Sequence, residues 1–280
     1  MERQRLTITL KQDILDKLDA TIDGARIRNR SHAIEYHLGK VLGSRIQKAL
    51  ILAGGRGVNM RPFTYEMPKA MIPVHGKPIL EHTVTSLRDS GIRNLIIYIG
   101  HLGERIKEHF GDGSGFGVSI QYVEEGKSEG TATPLRAAAH LLKDSPFLML
   151  YGDVLIDVDF NEFVDYHLES KALATLAITS VSQPSEYGVV KMHGSKIVEF
   201  LQKPERSSRL SHLIFTGVSV MQPKVLDYVP ASGSSMLEAD VFPQLAKEKK
   251  LVGYLFEGQW FDIGTPEVYE QALKEWPVKK

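Results

Sequence analysis

Apolar and polar side chains alternate at the start of the chain. Leu6, Ile8 and Leu10 interleave with Arg5, Thr7 and Thr9, the period-2 pattern of a half-buried strand. Ile14, Leu15, Leu18 and Ile22 then recur at helical spacing, and Gly24 is placed to end that helix. Ser31 is suited to cap a second helix with the face Ile34, Leu38, Val41 and Leu42. One strand and two short helices enclose little core, and some forty residues is near the lower limit for independent folding. A lone strand also leaves both edges unpaired. Two copies that pair strands and interlock helices remove both problems, so the pattern predicts a homodimer.

Beyond Gly43-Ser44-Arg45, too short for a tether of any reach, the pattern changes. Strands are predicted at 47–52, 94–99, 118–123, 147–151, 173–181, 187–192, 196–200, 214–221 and 251–256. Helices are predicted near 79–89, 102–110, 132–142, 160–169, 238–247 and 266–275. Such alternation implies an α/β fold, a mainly parallel, doubly wound sheet with helices on both faces. The expected division is a small domain at 1–44 and an α/β domain at 45–280.

Composition narrows the class. The 280 residues are 42% hydrophobic and 24% charged, ordinary for a soluble globular chain. No apolar run reaches membrane-helix length, and Met1-Glu2-Arg3-Gln4-Arg5 lacks the apolar core of a signal peptide, so a cytoplasmic location is expected. With no cysteine, disulfides and thiolate metal sites are excluded. The ten histidines show no ligand spacing and read as surface or packing residues. Net charge is zero, but residues 1–45 carry nine Lys/Arg against six Asp/Glu and the remainder is correspondingly acidic. Only the first segment has the sign for a polyanionic partner.

The run Lys48-Ala49-Leu50-Ile51-Leu52-Ala53-Gly54-Gly55-Arg56-Gly57 is a buried strand entering a glycine-rich turn. Glycines there let backbone N–H groups close on phosphate oxygens. The spacing fits neither a P-loop nor a dinucleotide fingerprint. The continuation is Val58-Asn59-Met60-Arg61-Pro62-Phe63-Thr64, then Pro68-Lys69-Ala70-Met71-Ile72-Pro73-Val74 and Gly76-Lys77-Pro78-Ile79-Leu80-Glu81-His82. Further on come Gly130-Thr131-Ala132, Gly152-Asp153, Tyr187-Gly188-Val189-Val190, Lys203-Pro204, Thr216-Gly217 and Trp260-Phe261-Asp262-Ile263-Gly264-Thr265-Pro266. Together these resemble the sugar-1-phosphate nucleotidylyltransferase family over residues 46–275, in the family's order.

The resemblance implies a Rossmann-like, doubly wound mixed sheet and a reaction in which a sugar-1-phosphate attacks a nucleoside triphosphate and releases pyrophosphate. It implies nucleotide contacts at Ala53, Gly54, Gly55, Gly57, Gly130 and Thr131, and sugar-phosphate contacts at Gly188, Lys203 and Thr216. Lys69, Asp153 and Asp262 become the expected catalytic residues, with Mg2+ held by Asp153 and Asp262. Magnesium takes hard oxygen ligands and shares its shell with substrate phosphates, so two carboxylates suffice. Asp157 and Asp159 are instead assigned to the start of the following helix. The Gly130-Thr131-Ala132 and Gly152-to-Asp157 segments look most like the mannose-1-phosphate guanylyltransferase branch, pointing to GTP and mannose-1-phosphate.

Arg5-Leu6-Thr7-Ile8-Thr9-Leu10, the two helices and Asn29-Arg30-Ser31 resemble a ribbon-helix-helix module over residues 3–43. That resemblance implies a dimer whose strand ribbon enters a DNA major groove with Arg5, Thr7 and Thr9. Arg28, Arg30 and Ser31 would contact phosphate.

Three site positions depart from the family pattern. Asn59 replaces an arginine two residues after the third glycine, Gln202 a glutamate before Lys203, and Thr133 a glycine after Gly130-Thr131-Ala132. Thr133 is expected to put a β-branched side chain near the nucleobase. The departures leave a second reading open: a DNA-binding regulator that uses a weak or inactive transferase domain as a nucleotide or nucleotide-sugar sensor. Asparagine supplies one hydrogen bond but no charge and no fork. Asn59→Arg is therefore expected to raise turnover, by up to roughly 10² for one restored charge-stabilising donor. Steady-state pyrophosphate release from both proteins measures it, and an unchanged rate removes Asn59 as the limit.

Overall fold

The computed structural model describes residues 7–24, 27–42, 46–126, 129–205 and 211–277. Contacts divide the chain into two compact units, Met1–Arg45 and Ile46–Lys280.

The first unit contains helices Gln12–Asp19 and Arg30–Leu42. Residues 7–10 form no strand in the single chain, in contrast to the alternating pattern. A strand needs a hydrogen-bonded neighbour, and a single chain with one candidate strand supplies none. Arg5 and Leu6, and the side chains of Val41 and Leu42, lie outside the described residues. The second helix is capped by Asn29, not Ser31: the Asn29 Oδ1 accepts from the His32 backbone N–H at 2.9 Å. Ser31 lies one residue inside the helix and is exposed. An asparagine side chain reaches the N–H of the third helical residue as well as a serine does, so the cap falls two residues earlier than expected. Arg30 forms a two-pronged pair with Asp19, at 2.6 Å from Nε and 2.5 Å from Nη2, and so ties the helices together.

The second unit is built on strands β1 (Lys48–Ala53), β2 (Pro73–Val74), β3 (Lys77–Pro78), β4 (Asn94–Ile99), β5 (Ser119–Glu124), β6 (Phe147–Tyr151) and β7 (Val154–Ile156). They are followed by β8 (Ala174–Ser180), β9 (Gly188–His193), β10 (Lys196–Gln202), β11 (Leu213–Met221), β12 (Leu251–Leu255) and β13 (Trp260–Asp262). Nine of them form one sheet in the order β5-β4-β1-β6-β11-β8-β12-β10-β9. Neighbours from β5 to β6 are parallel, as are β8 and β12. β11 runs antiparallel to β6 and β8, and β10 runs antiparallel to β9 and β12. The sheet is therefore mixed where the alternation of elements predicts a mainly parallel one. Its second half carries the hairpin β9–β10, which needs no helical crossover.

Alternate residues of β1 divide between two cores. Ala49, Ile51 and Ala53 join a cluster with Leu80, Val84, Leu87, Phe160 and Phe163, while Leu50 joins Leu135, Leu142, Phe242 and Leu245. Helices Ile79–Asp89 and Phe160–Ser170 thus cover one face, and helices Thr133–Ala137, Ala139–Leu142 and Phe242–Lys247 the other. Continuous apolar character in β1 follows from burial on both faces. Asp159 caps helix Phe160–Ser170, accepting from the N–H groups of Asn161 and Glu162 at 2.8 and 3.1 Å, as its sequence position predicts.

A third cluster, including Met60, Ile72, Ile79, Leu155, Phe261, Ile263 and Trp276, joins the glycine-rich segment to the short pair β7–β13 and the last helix. Leu50 is fully buried in the central strand. Leu50→Ala is expected to cost about 2–5 kcal/mol of stability. Urea unfolding of the full chain measures it.

Candidate active site

Strand order fixes where a site can form. The chain passes from β1 to β4 and β5 on one side, then crosses to β6 on the other. The crevice at the carboxyl ends of β1 and β6 is a topological switch point, where open α/β sheets bind ligands. Ala53-Gly54 leaves the sheet at one lip and Gly152-Asp153 at the other. They are held close: the Gly152 N–H donates to the Leu52 carbonyl at 2.9 Å. A Cβ on Gly152 would stand 3.1 Å from that of Ala53.

The glycine-rich segment folds around the residues that follow it. Gly57 takes φ +58°, and a Cβ there would fall 2.8 Å from Thr64 Cγ2 and 3.1 Å from Lys69 Cβ. Thr64 Oγ1 and the Met60 N–H both donate to the Gly57 carbonyl, at 2.8 and 2.9 Å. Gly55 and Arg56 are exposed, whereas Gly54 is buried beside Tyr98. Asn59 is exposed in a short turn, Val58–Met60. The two flanking arginines have other neighbours. The Arg61 guanidinium lies 5.1 Å from the centre of the Tyr65 ring. Burial and Glu129 raise the Glu125 carboxyl above its usual range, and nearby Arg56 partly opposes that rise.

Lys69 opens a single turn, Lys69–Met71, anchored by buried Ala70 within it and buried Ile72 just after it. Its ammonium forms an ion pair with Asp153. Asp262 arrives from the far end of the chain on β13, paired opposite Val154 of β7. The Ile263 N–H donates to the Asp153 carbonyl at 3.0 Å, which locks the two aspartate backbones together. Lys203 stands on the turn after β10, exposed, with φ +41°. Its N–H donates to the Tyr187 carbonyl at 3.0 Å.

These groups share one electrostatic field. Burial opposes the Lys69 charge, but Asp153 and Asp262 outweigh it and raise the Lys69 pKa above its ordinary value. Burial and the neighbouring Asp153 push the Asp262 carboxyl up to about 6, against the pull of Lys69 and Lys203. Tyr187 is raised by burial and by Asp262. Tyr187 and Trp260, ring centres 5.3 Å apart, line a cleft of about 350 Å³ with Asp262, Gln183, Glu186 and Gln271.

The remaining expected contacts fall differently. Gly188 is buried in β9, where a Cβ would meet Phe200 at 2.5 Å. Thr216 is buried and spends its hydroxyl on the Ala177 carbonyl at 2.9 Å, while its own carbonyl accepts from the Trp260 indole. Thr131 is tied to Glu238 and to the Leu237 N–H. Gly130 takes φ +108° with a would-be Cβ only 2.2 Å from the Ser235 carbonyl oxygen. Thr133, expected beside the nucleobase, is buried and donates to the Glu129 carbonyl at 2.9 Å. It braces its own turn, a use of a threonine hydroxyl that spacing does not reveal. Sequence reasoning missed Tyr151 and Glu238. The available signal was Glu238 four residues before Phe242, an acid on the apolar side of a helical segment. Among the described residues no group of three or more His, Asp or Glu could hold a metal, and no helix is long and apolar enough to cross a membrane.

A mixed sheet with a lysine–aspartate pair at its switch point defines the class as an open α/β fold, and similarity to known proteins specifies which. The chain belongs to the Nucleotidyl transferase family, whose model matches residues 48–277. It is 37% identical over 243 residues to a UTP–glucose-1-phosphate uridylyltransferase of Synechocystis sp., covering 81% of this chain and 62% of that protein. It is 35% identical over 228 residues to a mannose-1-phosphate guanyltransferase of Yarrowia lipolytica, covering 79% and 61%. The chain thus spans about 62% of the length of the curated relatives it matches. A putative glucose-1-phosphate thymidylyltransferase from Bacillus anthracis superposes with a TM-score of 0.77 at 26% identity, over 83% of this chain and 97% of that one.

The raised Asp262 carboxyl has a stability consequence. A folded-state pKa of about 6, above the unfolded value near 4, gives a contribution that is complete below pH 4 and lost as pH rises through 6. Asp262→Asn is therefore expected to be more stable than the parent at pH 8, by at most about 3 kcal/mol. At pH 4 the two should converge. Urea unfolding at both pH values in chelator checks it, and a variant less stable at pH 8 refutes it.

Proposed function

We propose that this protein transfers a nucleotidyl group from a nucleoside triphosphate to a sugar-1-phosphate, yielding a nucleotide sugar and pyrophosphate. The observation that carries the reading is the convergence of Lys69, Asp153, Asp262 and Lys203 on one field at the sheet's switch point. A phosphate oxygen of the sugar-1-phosphate attacks the α-phosphorus, and the bond to the β,γ-pyrophosphate breaks. The protein's work in such a step is positioning and neutralising charge.

Lys69 stays protonated and, steadied by Asp153, presents a fixed positive charge to the reacting phosphates. Lys203 meets the phosphate of the sugar substrate. Backbone N–H groups from Gly54 to Gly57, three of these four residues lacking a Cβ, line the triphosphate. Two adjacent carboxylates, one of them destabilised as an anion, fit a hard divalent cation such as Mg2+. When bound to Asp153 and Asp262, it would supply charge neutralisation at the phosphates. The curated relatives divide between a uridylyltransferase and guanyltransferases, so the choice of base rests on the Gly130-Thr131-Ala132 and Gly152-to-Asp157 segments, which favour GTP with mannose-1-phosphate.

Asp153→Asn and Asp262→Asn are each expected to lower pyrophosphate release by at least about 10², the scale of losing one transition-state charge contact. A panel of nucleotides and sugar phosphates, with and without Mg2+, provides the measurement. Unchanged rates in excess chelator would overturn the metal assignment.

A second reading concerns the first unit: a homodimer that binds duplex DNA, with the transferase domain as sensor or as a second activity. Its dimer half is favoured by apolar exposure, since Ile8, Leu10, Ile14 and Leu38 are 45, 36, 46 and 44% exposed, and helix Gln12–Asp19 has no buried residue. A second copy would cover them. Thr7 and Thr9 are exposed, and so is Arg28, while Arg30 is engaged with Asp19. Arg28, rather than Arg30, is therefore the expected phosphate contact. Full-length protein should sediment as a dimer and bind a random-sequence duplex pool at low salt. Arg28→Ala should weaken binding to all sequences and flatten the log–log salt slope by about one unit. A dimer with no binding above background would leave the unit as a dimerisation arm.

A further inference from the structure

Glu238 is a carboxylate only 5% exposed, on a segment that carries none of the expected site residues. Burying a carboxylate costs several kcal/mol unless its oxygens are well satisfied. Here two hydroxyls do so, one on each oxygen. Tyr151 donates to Oε1 and Thr131 to Oε2. Thr131 also accepts from the Leu237 N–H at 2.9 Å, which completes a closed ring of contacts.

The two donors belong to two different parts of the site. Tyr151 ends β6, two residues ahead of Asp153. Thr131 follows Gly130 in the turn assigned to the nucleotide. Backbone contacts bring that turn onto the Glu238 segment: the Ala132 N–H donates to the Ser235 carbonyl at 3.0 Å, and the Ser235 N–H to the Glu129 carbonyl at 3.1 Å. Gly130 permits the approach, since a Cβ there would overlap the Ser235 carbonyl. Gly217 makes room on the other side, where a Cβ would stand 2.8 Å from the Tyr151 ring. Burial and Glu238 raise the Tyr151 pKa well above its usual value, so the phenol keeps the proton it donates.

We propose that Glu238 is a positioning residue that holds the Gly130-Thr131 turn in register with the strand end carrying Asp153. The carboxylate touches no substrate. It joins two segments that would otherwise adjust independently, and so sets the span between bound nucleotide and the Lys69–Asp153 centre. This assignment rests on the nucleotidyl-transfer reading for its catalytic effect, but the mechanical link stands apart from it.

The test uses the full chain with Glu238→Gln, Glu238→Ala and Tyr151→Phe, the last removing one hydroxyl and preserving the ring. Amide hydrogen exchange without substrate is expected to quicken together at 130–133 and 152–154, by about tenfold or more in Glu238→Ala. In pyrophosphate release, kcat should fall and KM for the nucleotide should rise in the order parent, Gln, Ala, with the glutamine partly rescuing because its amide oxygen still accepts one hydroxyl. A purely structural role would lower thermal stability yet leave kcat and KM of the folded protein unchanged. Exchange changes confined to 236–240, or kinetics equal to the parent in Glu238→Ala below its melting range, would overturn the proposal. If the parent itself shows no turnover with any substrate pair, the transfer reading fails while the exchange measurement still decides the link.

Discussion

The ion pair between Lys69 and Asp153, with Asp262 beside it, is the constraint on which the rest of the α/β unit depends. A lysine and two aspartates at close range carry a net negative charge, with the Lys69 and Asp153 side chains only partly exposed. That imbalance pushes the Asp262 carboxyl upward and holds the Lys69 ammonium protonated. Removing Lys69 would leave two partly buried carboxylates uncompensated, whereas removing the charge of Asp262 relieves the surplus. The surrounding structure is arranged to hold the three side chains where the imbalance persists. Buried Ala70 and Ile72 fix the lysine turn, the sheet fixes Gly152, and the pair β7–β13 fixes Asp262 against Asp153.

Much of the sheet was legible because its strands are buried on both faces. Phe147 to Leu150 and Leu95 to Ile99 are apolar without interruption, and the observed strands follow those runs. The motif residues Lys69, Asp153 and Asp262 were legible through their neighbours, since each sits in a long ordered signature. What sequence did not disclose is pairing. β7 and β13 are three residues each, too short for any periodicity, yet their register brings the two aspartates together. Side-chain hydroxyls were the other blind spot. Thr133, Thr216 and Thr131 each bond within the protein, and a threonine's partner depends on packing that spacing cannot supply.

The first unit illustrates the opposite limit. Its helices were legible from spacing, although the first ends at Asp19 and does not run on to Gly24; residues 7–10 form no strand in one chain, and the second helix is capped by Asn29 instead of Ser31. Local pattern specifies which residues want burial; it cannot specify what buries them. The exposed Ile8, Ile14 and Leu38 are the visible remainder of that unanswered demand.

The register of β7 with β13 also orders events in time. Asp153 and Asp262 are separated by most of the chain's second half, but their strands are adjacent. Synthesis delivers amino-terminal segments first, and contacts between distant segments wait for the later one to emerge. A nascent chain can therefore form the Lys69–Asp153 half of the centre while Asp262 is still untranslated. Until β13 docks, the half-centre pairs one cation with one anion and carries no surplus charge. The surplus negative charge of the centre thus arises only once β13 has paired with β7.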